Sequence, residues 1–154
     1  MKKSYFLLFT VYCLLFTVLF WGCGGSVSAP PDSTITINPE TVTITDSGDE
    51  ATHTQYFTIL VKDSNGTPLG DIKITISFPW AKPDPTDLVQ LYKCEDPKCE
   101  TPEAVNSPFD AETDESGTYT LRFDYQSGWL EYKGDVEVRS GSAFGSATFE
   151  VTYE

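Results

Sequence analysis

The chain has 154 residues, a formal net charge of -13 and 40% hydrophobic residues. This length suits one domain with a substantial core plus a short export segment. Nucleic-acid binding depends on lysine and arginine meeting phosphate, so a chain with 23 acidic and 10 basic residues is not expected to bind nucleic acid.

The N-terminus has the layout of an export signal. Two lysines follow Met1, and an apolar run covers residues 5–21. This run is long enough to cross a bilayer as a helix, so an uncleaved anchor and plain secretion are alternatives to a cleaved signal. The run ends at Gly22 and Cys23. This junction resembles the bacterial lipobox, in which a signal peptidase cuts before a cysteine that has received a diacylglycerol.

The lipobox resemblance implies that residues 1–22 are a hydrophobic signal helix and that Cys23 carries a covalent diacylglycerol and an acyl chain such as palmitate. Each buried methylene contributes about 0.8 kcal/mol, so several chains make the attachment to the membrane effectively permanent. Gly24, rather than an aspartate after the cysteine, implies the outer membrane or the cell surface. Residues 23–33 are rich in Gly, Ser and Pro and predict a flexible tether.

From Thr34 onward, apolar and polar residues alternate with a period of two, which predicts an all-β domain over residues 34–154. Pro39 interrupts the first run, and an edge strand split by a proline is expected there. About seven strands with one apolar face each predict an antiparallel two-sheet sandwich. The positions predicted to face inward are Ile35, Ile37, Val42, Ile44, Phe57, Ile59, Val61, Ile72, Ile74, Ile76, Phe78, Tyr119, Leu121, Phe123, Tyr125, Val136, Val138, Ala147, Phe149, Val151 and Tyr153.

Two turns and the last strand carry a family resemblance. The first turn reads Val-Lys-Asp-Ser-Asn-Gly-Thr-Pro-Leu from Val61, the second reads Thr-Asp-Glu-Ser-Gly from Thr113, and an alternating strand follows Gly141. Over about residues 35–153 the chain resembles the invasin/intimin type of bacterial immunoglobulin-like domain. The transthyretin-like sandwich of carboxypeptidase regulatory domains shares both turns and is the alternative. The resemblance implies an immunoglobulin-like sandwich with a structural, adhesive or assembly role.

The stretch from Pro79 to Phe109 departs from that pattern. It is rich in proline, allows one short strand at residues 88–93, and contains Cys94 and Cys99. Outside the cytoplasm, two cysteines this close most simply form a disulfide. Long connections are often functional, so the individual features of this protein are expected here.

The sequence offers no recognisable catalytic or metal-binding constellation. His53 is the single histidine, no nucleophile motif accompanies it, and it is interpreted as an exposed imidazole at a strand end. A zinc site would need two ligands beyond the cysteine pair. The acidic segments 110–117 and 46–50 lack the EF-hand spacing and are interpreted as turns with local hydrogen bonds. The chain is therefore predicted not to be an enzyme and to hold no metal or cofactor.

Four aromatic residues near strand ends or in irregular segments are candidates for a binding surface, because exposed aromatic rings bind proteins or sugars. These residues are Trp80, Tyr92, Trp129 and Tyr132. Packing over the open ends of the sandwich is the alternative interpretation. The leading hypothesis is a lipid-anchored envelope protein that binds another envelope protein. The alternative is a carbohydrate-binding module that uses these rings.

Overall fold

The computed structural model describes residues 27–48, 50–79, 89–128 and 131–153, and these residues form an all-β domain. The predicted signal helix and Cys23 lie outside the described residues. Within the described ranges, no helix is long and apolar enough to cross a bilayer. The strands are β1 (Val27–Ser28), β2 (Thr34–Asn38), β3 (Thr41–Asp46), β4 (Thr52–Lys62), β5 (Ile72–Ser77), β6 (Val89–Lys93), β7 (Glu103–Val105), β8 (Phe109–Glu112), β9 (Thr118–Gln126), β10 (Tyr132–Ser140) and β11 (Ala143–Tyr153).

The strands form two sheets that pack face to face. In sheet A the hydrogen-bonded order is β1, β5, β10, β11 and β3, and β8 also pairs with β5. In sheet B the order is β2, β4, β9, β6 and β7. The pairing is antiparallel except where β1 meets β5 and β11 meets β3. The described residues thus form a two-sheet β-sandwich, the architecture that the alternating sequence predicts, but with eleven strands instead of about seven.

The predicted proline break in the first strand is confirmed, and it marks a change of sheet. β2 pairs with β4 in sheet B, whereas β3 pairs with β11 in sheet A. The two sheets approach closely beside this crossing. A Cβ atom added to Gly145 would lie 2.7 Å from the carbonyl oxygen of Ile35, so only glycine allows this approach.

The core lies where the alternation predicts it. Every residue predicted to face inward is buried except Tyr153, which is 41% exposed near the end of β11. Phenylalanine rings fill the centre. The ring centroids of Phe123 and Phe149 are 4.2 Å apart, and those of Phe78 and Phe123 are 5.1 Å apart. Sheet B supplies Phe123 and sheet A supplies Phe149, so these rings join the two layers.

The two turns that carry the family resemblance pack against each other. In the first turn, the Asp63 carboxylate accepts hydrogen bonds from backbone N–H groups inside the turn. In the second, the Asp114 carboxylate does the same. Gly117 has a φ of +75°, and a Cβ atom there would lie 2.7 Å from the backbone nitrogen of Leu69. Glycine is therefore required at the point where the turns meet.

Two short strands were not predicted: β7 lies in the proline-rich segment, and β8 begins at its end and continues to Glu112. The interpretation of the acidic segment 110–117 as a turn is therefore wrong for residues 110–112, which pair with β5. The strand predicted at residues 88–93 is confirmed as β6. β7 then pairs with β6, and β8 pairs with β5. With three and four residues, β7 and β8 are too short for a period-two pattern to reveal them.

The predicted flexible tether at residues 23–33 is wrong for its second half. Val27 and Ser28 pair with β5, and Ala29 is only 6% exposed. The backbone N–H of Ala29 donates a hydrogen bond of 2.8 Å to Ser140 Oγ. A two-residue strand whose partner is 45 positions away leaves no trace in composition, so this docking could not be read from the Gly, Ser and Pro content.

One carboxylate is fully buried and joins two loops. Asp46, the last residue of β3, accepts hydrogen bonds from the hydroxyls of Tyr125 and Ser127 and from the backbone N–H groups of Gly48 and Gly128. Burial by itself would raise the pKa of Asp46, but the hydrogen bonds outweigh it and hold the pKa well below its ordinary value. The interpretation of segment 46–50 as a purely local turn is therefore wrong for Asp46.

Replacing Asp46 by asparagine puts an amide NH₂ among four donors. We expect the free energy of unfolding at pH 7 to fall by about 2–4 kcal/mol, because buried donors lose their acceptor. Urea denaturation measures this change. The exposed Glu115 provides the control, and Glu115→Gln should change the free energy by less than about 0.5 kcal/mol.

The buried Asp46 carboxylate also predicts that the stability of the protein depends on pH. The folded pKa of Asp46 is lowered, so its stabilising contribution is complete above the ordinary carboxyl pKa of about 4 and is lost as the pH falls towards the folded pKa. Between pH 5 and pH 3 the parent protein should lose more stability than Asp46→Asn. Equal losses in the two proteins would contradict the buried carboxylate network.

Candidate binding surface

The structure describes two of the four aromatic candidates, because Trp80 and Trp129 lie outside the described residues. The expectation that Tyr132 is a surface residue is wrong. Tyr132 is 4% exposed and its ring centroid lies 5.5 Å from that of Phe149. It begins β10 on the inward register, so its ring belongs to the core. Tyr92 remains as a surface candidate.

Tyr92 lies in a row of three side chains across the outer face of sheet B. Backbone pairing places Tyr56 of β4 opposite Arg122 of β9, and Arg122 opposite Tyr92 of β6. Neighbouring strands are about 4.8 Å apart, so the three side chains stand side by side across about 10 Å. Tyr56 is 45% exposed and Tyr92 is half-buried. We call Tyr56, Arg122 and Tyr92 the Tyr–Arg–Tyr row.

The guanidinium group at the centre of the row is held in place. Arg122 donates two hydrogen bonds to Asp124, from Nε to Oδ1 at 3.0 Å and from Nη2 to Oδ2 at 2.7 Å. The guanidinium carbon lies 4.9 Å from the centre of the Tyr92 ring. A bidentate ion pair and a cation–π contact together restrict the side chain to one geometry. The hydrogen bonds with Asp124 raise the pKa of Arg122, so this residue is charged at every physiological pH.

Polar side chains beside the row are also fixed by hydrogen bonds. Thr54 Oγ1 donates to Asp124 Oδ1 at 2.8 Å. The Gln90 amide donates to the backbone carbonyls of Leu91 and Val105, at 2.8 and 3.1 Å. These bonds form a rigid polar border along one side of the row. Such preorganisation reduces the side-chain entropy lost when a partner binds.

The predicted disulfide between Cys94 and Cys99 is present and anchors the strand that carries Tyr92. The Cα atoms of the two cysteines are 4.7 Å apart. Inside the loop, the Asp96 carboxylate accepts backbone hydrogen bonds, and the backbone N–H of Cys94 donates to Tyr119 Oη at 3.2 Å. Burial raises the pKa of Tyr119 to about 12, so its hydroxyl is neutral at physiological pH. The loop therefore fixes the end of β6 just after Tyr92.

His53 lies at the start of β4, as the sequence predicts, but the expected exposure is wrong. It is half-buried on the inner face of β4, and its ring centroid lies 6.3 Å from that of Tyr125. Within the described part of the chain, its Nε2 atom is buried and has no hydrogen-bond partner, so no hydroxyl or thiol there is hydrogen-bonded to it. The described residues also contain no group of three or more His, Cys, Asp or Glu side chains that could hold a metal ion.

An open groove of about 490 Å³ lies between β8 and the disulfide loop. Its charged lining includes Asp71, Glu95 and Glu112, and an ion pair of 2.8 Å joins Lys73 to Asp110. Asp71, Glu95 and Glu112 are exposed to solvent, and the described residues around this groove form no cluster of carboxylates that could hold a metal ion. The Tyr–Arg–Tyr row is therefore the better defined candidate.

Sequence comparison gives no relative: no protein-family model matches the chain, and no curated protein matches it. Similar solved structures include a conjugative transposon lipoprotein from Bacteroides eggerthii, 13% identical over 79% of this chain and 98% of its own, with a TM-score of 0.47. A beta-glycosidase from Bacteroides vulgatus is 17% identical over 81% of this chain and 14% of its own, with a TM-score of 0.48. A PapD-like domain of human CEP192 is 11% identical over 84% of this chain and 92% of its own, with a TM-score of 0.45. Similarity at this level carries no argument about function, and the fold assignment rests on the strand order described above.

Removing the disulfide tests its role in holding β6. Replacing both Cys94 and Cys99 by serine should lower the free energy of unfolding by about 2 kcal/mol, the value expected for a short closed loop. Denaturant titration with and without a reducing agent measures this. The reducing agent should destabilise the parent protein and leave the double variant unchanged. Two titratable thiols in the denatured, oxidised domain would contradict the bond.

Proposed function

We propose that this chain is a non-enzymatic lipoprotein of the cell envelope, in which the immunoglobulin-like domain binds another envelope protein through the Tyr–Arg–Tyr row. One observation carries the binding role. Tyr56, Arg122 and Tyr92 are aligned across three strands of sheet B, and Asp124 fixes the guanidinium, which lies over the Tyr92 ring. The role is structural, adhesive or part of assembly, and no chemical step is assigned.

The residue types of the row favour a protein partner. Tyrosine and arginine are enriched among the residues that contribute most to protein interfaces. The Tyr56 ring offers a large apolar surface and a hydroxyl, and it is already exposed. Because Arg122 is paired with Asp124, covering the row does not bury an unpaired charge. A partner therefore gains contact area without a large desolvation cost.

The anchor and the location rest on the N-terminal sequence. The apolar run at residues 5–21 and the junction of Gly22 with Cys23 support export and attachment of a diacylglycerol and an acyl chain to Cys23. Gly24, which stands in place of an aspartate after Cys23, supports a location at the outer membrane or the cell surface. The net charge of -13 supports a function without nucleic acid.

Carbohydrate binding is the second candidate function, and the polar side chains beside the Tyr–Arg–Tyr row favour it. Asp124 and Gln90 place a carboxylate and an amide beside two tyrosine rings. Sugars are commonly held by this combination of aromatic surface and planar polar groups.

Metabolic labelling with palmitate tests the anchor. The parent protein should incorporate the label, and Cys23→Ala should abolish incorporation because the acceptor thiol is lost. Cys13→Ala removes a cysteine from within the apolar run and should retain the label. Incorporation that persists in Cys23→Ala would contradict the proposed attachment.

Capture of crosslinked partners from intact envelopes tests the binding surface. Tyr56→Ala and Tyr92→Ala should each reduce capture about tenfold, the effect of losing roughly 1.4 kcal/mol of binding free energy. Sheet A offers a matched control, because Arg139 lies 4.5 Å from the centre of the exposed Phe144 ring on its outer face. Phe144→Ala should leave capture within about twofold of the parent value.

The same variants distinguish the two candidate functions. Loss of protein capture in the Tyr56 and Tyr92 variants, with unchanged thermal unfolding, supports protein binding. Binding to a glycan array that disappears in these variants would replace it with the carbohydrate-binding function. Protein capture that is equal in the parent, the tyrosine variants and Phe144→Ala would contradict a role for the row.

A further inference from the structure

The first described residues are fixed to the sandwich by backbone pairing and by a buried serine. Val27 pairs with Ile72 and Ser28 with Lys73, in parallel register. The Ser140 hydroxyl accepts a hydrogen bond of 2.8 Å from the Ala29 N–H and donates one of 2.6 Å to the Lys73 carbonyl. Ser140 thus links β1, β5 and β10. The position of Val27 relative to the domain is defined by these bonds.

Val27 lies at one particular end of the sandwich, which we call the anchor end. It pairs with Ile72, the first residue of β5, so the chain enters the domain at the end where β5 begins. The anchor end consists of residues 27–33, the turns at 63–71 and 113–117, and the β10–β11 turn at 141–142. The opposite end, or far end, contains residues 46–48 and 126–128, which the hydrogen bonds of Asp46 join.

The chain between Cys23 and this fixed point is short. Gly24, Gly25 and Ser26 are the only residues between Cys23 and Val27. Four steps along the chain span at most about 14 Å. Without the docking of residues 27–33, the distance from Cys23 to Thr34 could reach about 38 Å. Docking of residues 27–33 therefore reduces the maximum distance from Cys23 to the domain to less than half of the value expected for a flexible tether.

We propose that the anchor end faces the lipid headgroups of the membrane that holds Cys23, and that the strands extend away from that surface. This orientation rests on the proposed lipidation of Cys23. Lys62 lies at the anchor-end limit of β4, six steps along the strand from Tyr56, so the Tyr–Arg–Tyr row stands about 20 Å above that end. The row then faces sideways, where a neighbouring envelope protein reaches it.

The chemistry of the anchor end fits a headgroup layer without insertion. Its exposed residues include Asp32, Asp71, Asp114 and Glu115. Charged side chains do not enter the hydrocarbon core, and anionic lipids would repel these carboxylates. The short connection to Cys23, rather than electrostatic attraction, holds this end near the membrane. A zwitterionic headgroup surface is the matching environment.

Fluorescence quenching in vesicles tests the orientation with the full lipoprotein. Phosphatidylcholine vesicles carry a small fraction of lipid with a nitroxide on its headgroup. A dye is attached at Ser142→Cys on the anchor end or at Ser47→Cys on the far end, and both serines are exposed. The two ends are about 35 Å apart along β11. We expect the dye at position 142 to be quenched several times more strongly than the dye at position 47.

A spacer variant provides the control. Ten Gly and Ser residues inserted between Ser26 and Val27 leave the docked segment and the sandwich unchanged but lengthen the connection to the membrane. This insertion should weaken quenching at position 142 and bring the two dyes towards equal values. Retention of the full difference in the spacer variant would show that the short connection does not set the orientation, and would overturn the proposal.

Flotation of the vesicles separates failure of the orientation from failure of the anchor. A protein that floats with the vesicles but shows equal quenching at both positions without the spacer contradicts the orientation alone. A protein that does not float contradicts the lipid anchor, and the orientation falls with it. Flotation together with strong quenching confined to position 142 supports both.

Discussion

The structure depends on contact between the inner faces of its two sheets. Each sheet carries apolar side chains at alternate positions, and neither can exclude water from that face alone. Phe123 and Phe149 meet at the centre, with ring centroids 4.2 Å apart. Residues on the outer faces do not pack against the opposite sheet, so they do not have to be apolar. The Tyr–Arg–Tyr row occupies such an outer face, so the proposed binding surface is separate from the packing that maintains the fold.

The sequence predicted the parts of the fold that local alternation decides. In β4, β5 and β9 a residue's neighbours two positions away already indicate which face is buried. β7 and β8 are different, since strands of three and four residues form where β6 and β5 offer free edges. The docking of β1 likewise depends on a partner far along the chain. The formation of such short strands depends on pairing with residues far along the chain, and a local sequence pattern does not show that pairing.

Only some residues of the candidate site could be predicted from the sequence. The spacing of Cys94 and Cys99 was sufficient for the disulfide, and Tyr92 was a surface candidate. Tyr56 faces outward because Phe57 faces inward, yet only the pairing of β4, β9 and β6 brings Tyr56, Arg122 and Tyr92 together. Tyr132 shows the reverse case. Its position near a strand end suggested exposure, whereas the register of β10 turns it into the core.

The change of sheet at Pro39 has a consequence for self-association. An uninterrupted strand from Thr34 to Asp46 would present one long open edge, and such edges template pairing between molecules. The crossing divides it into β2 and β3, with five and six residues, whose outward side chains are mostly threonine. Short polar edges are poor templates for intermolecular sheets. Under the proposed lipid anchor this matters most, because copies attached to one membrane surface meet frequently.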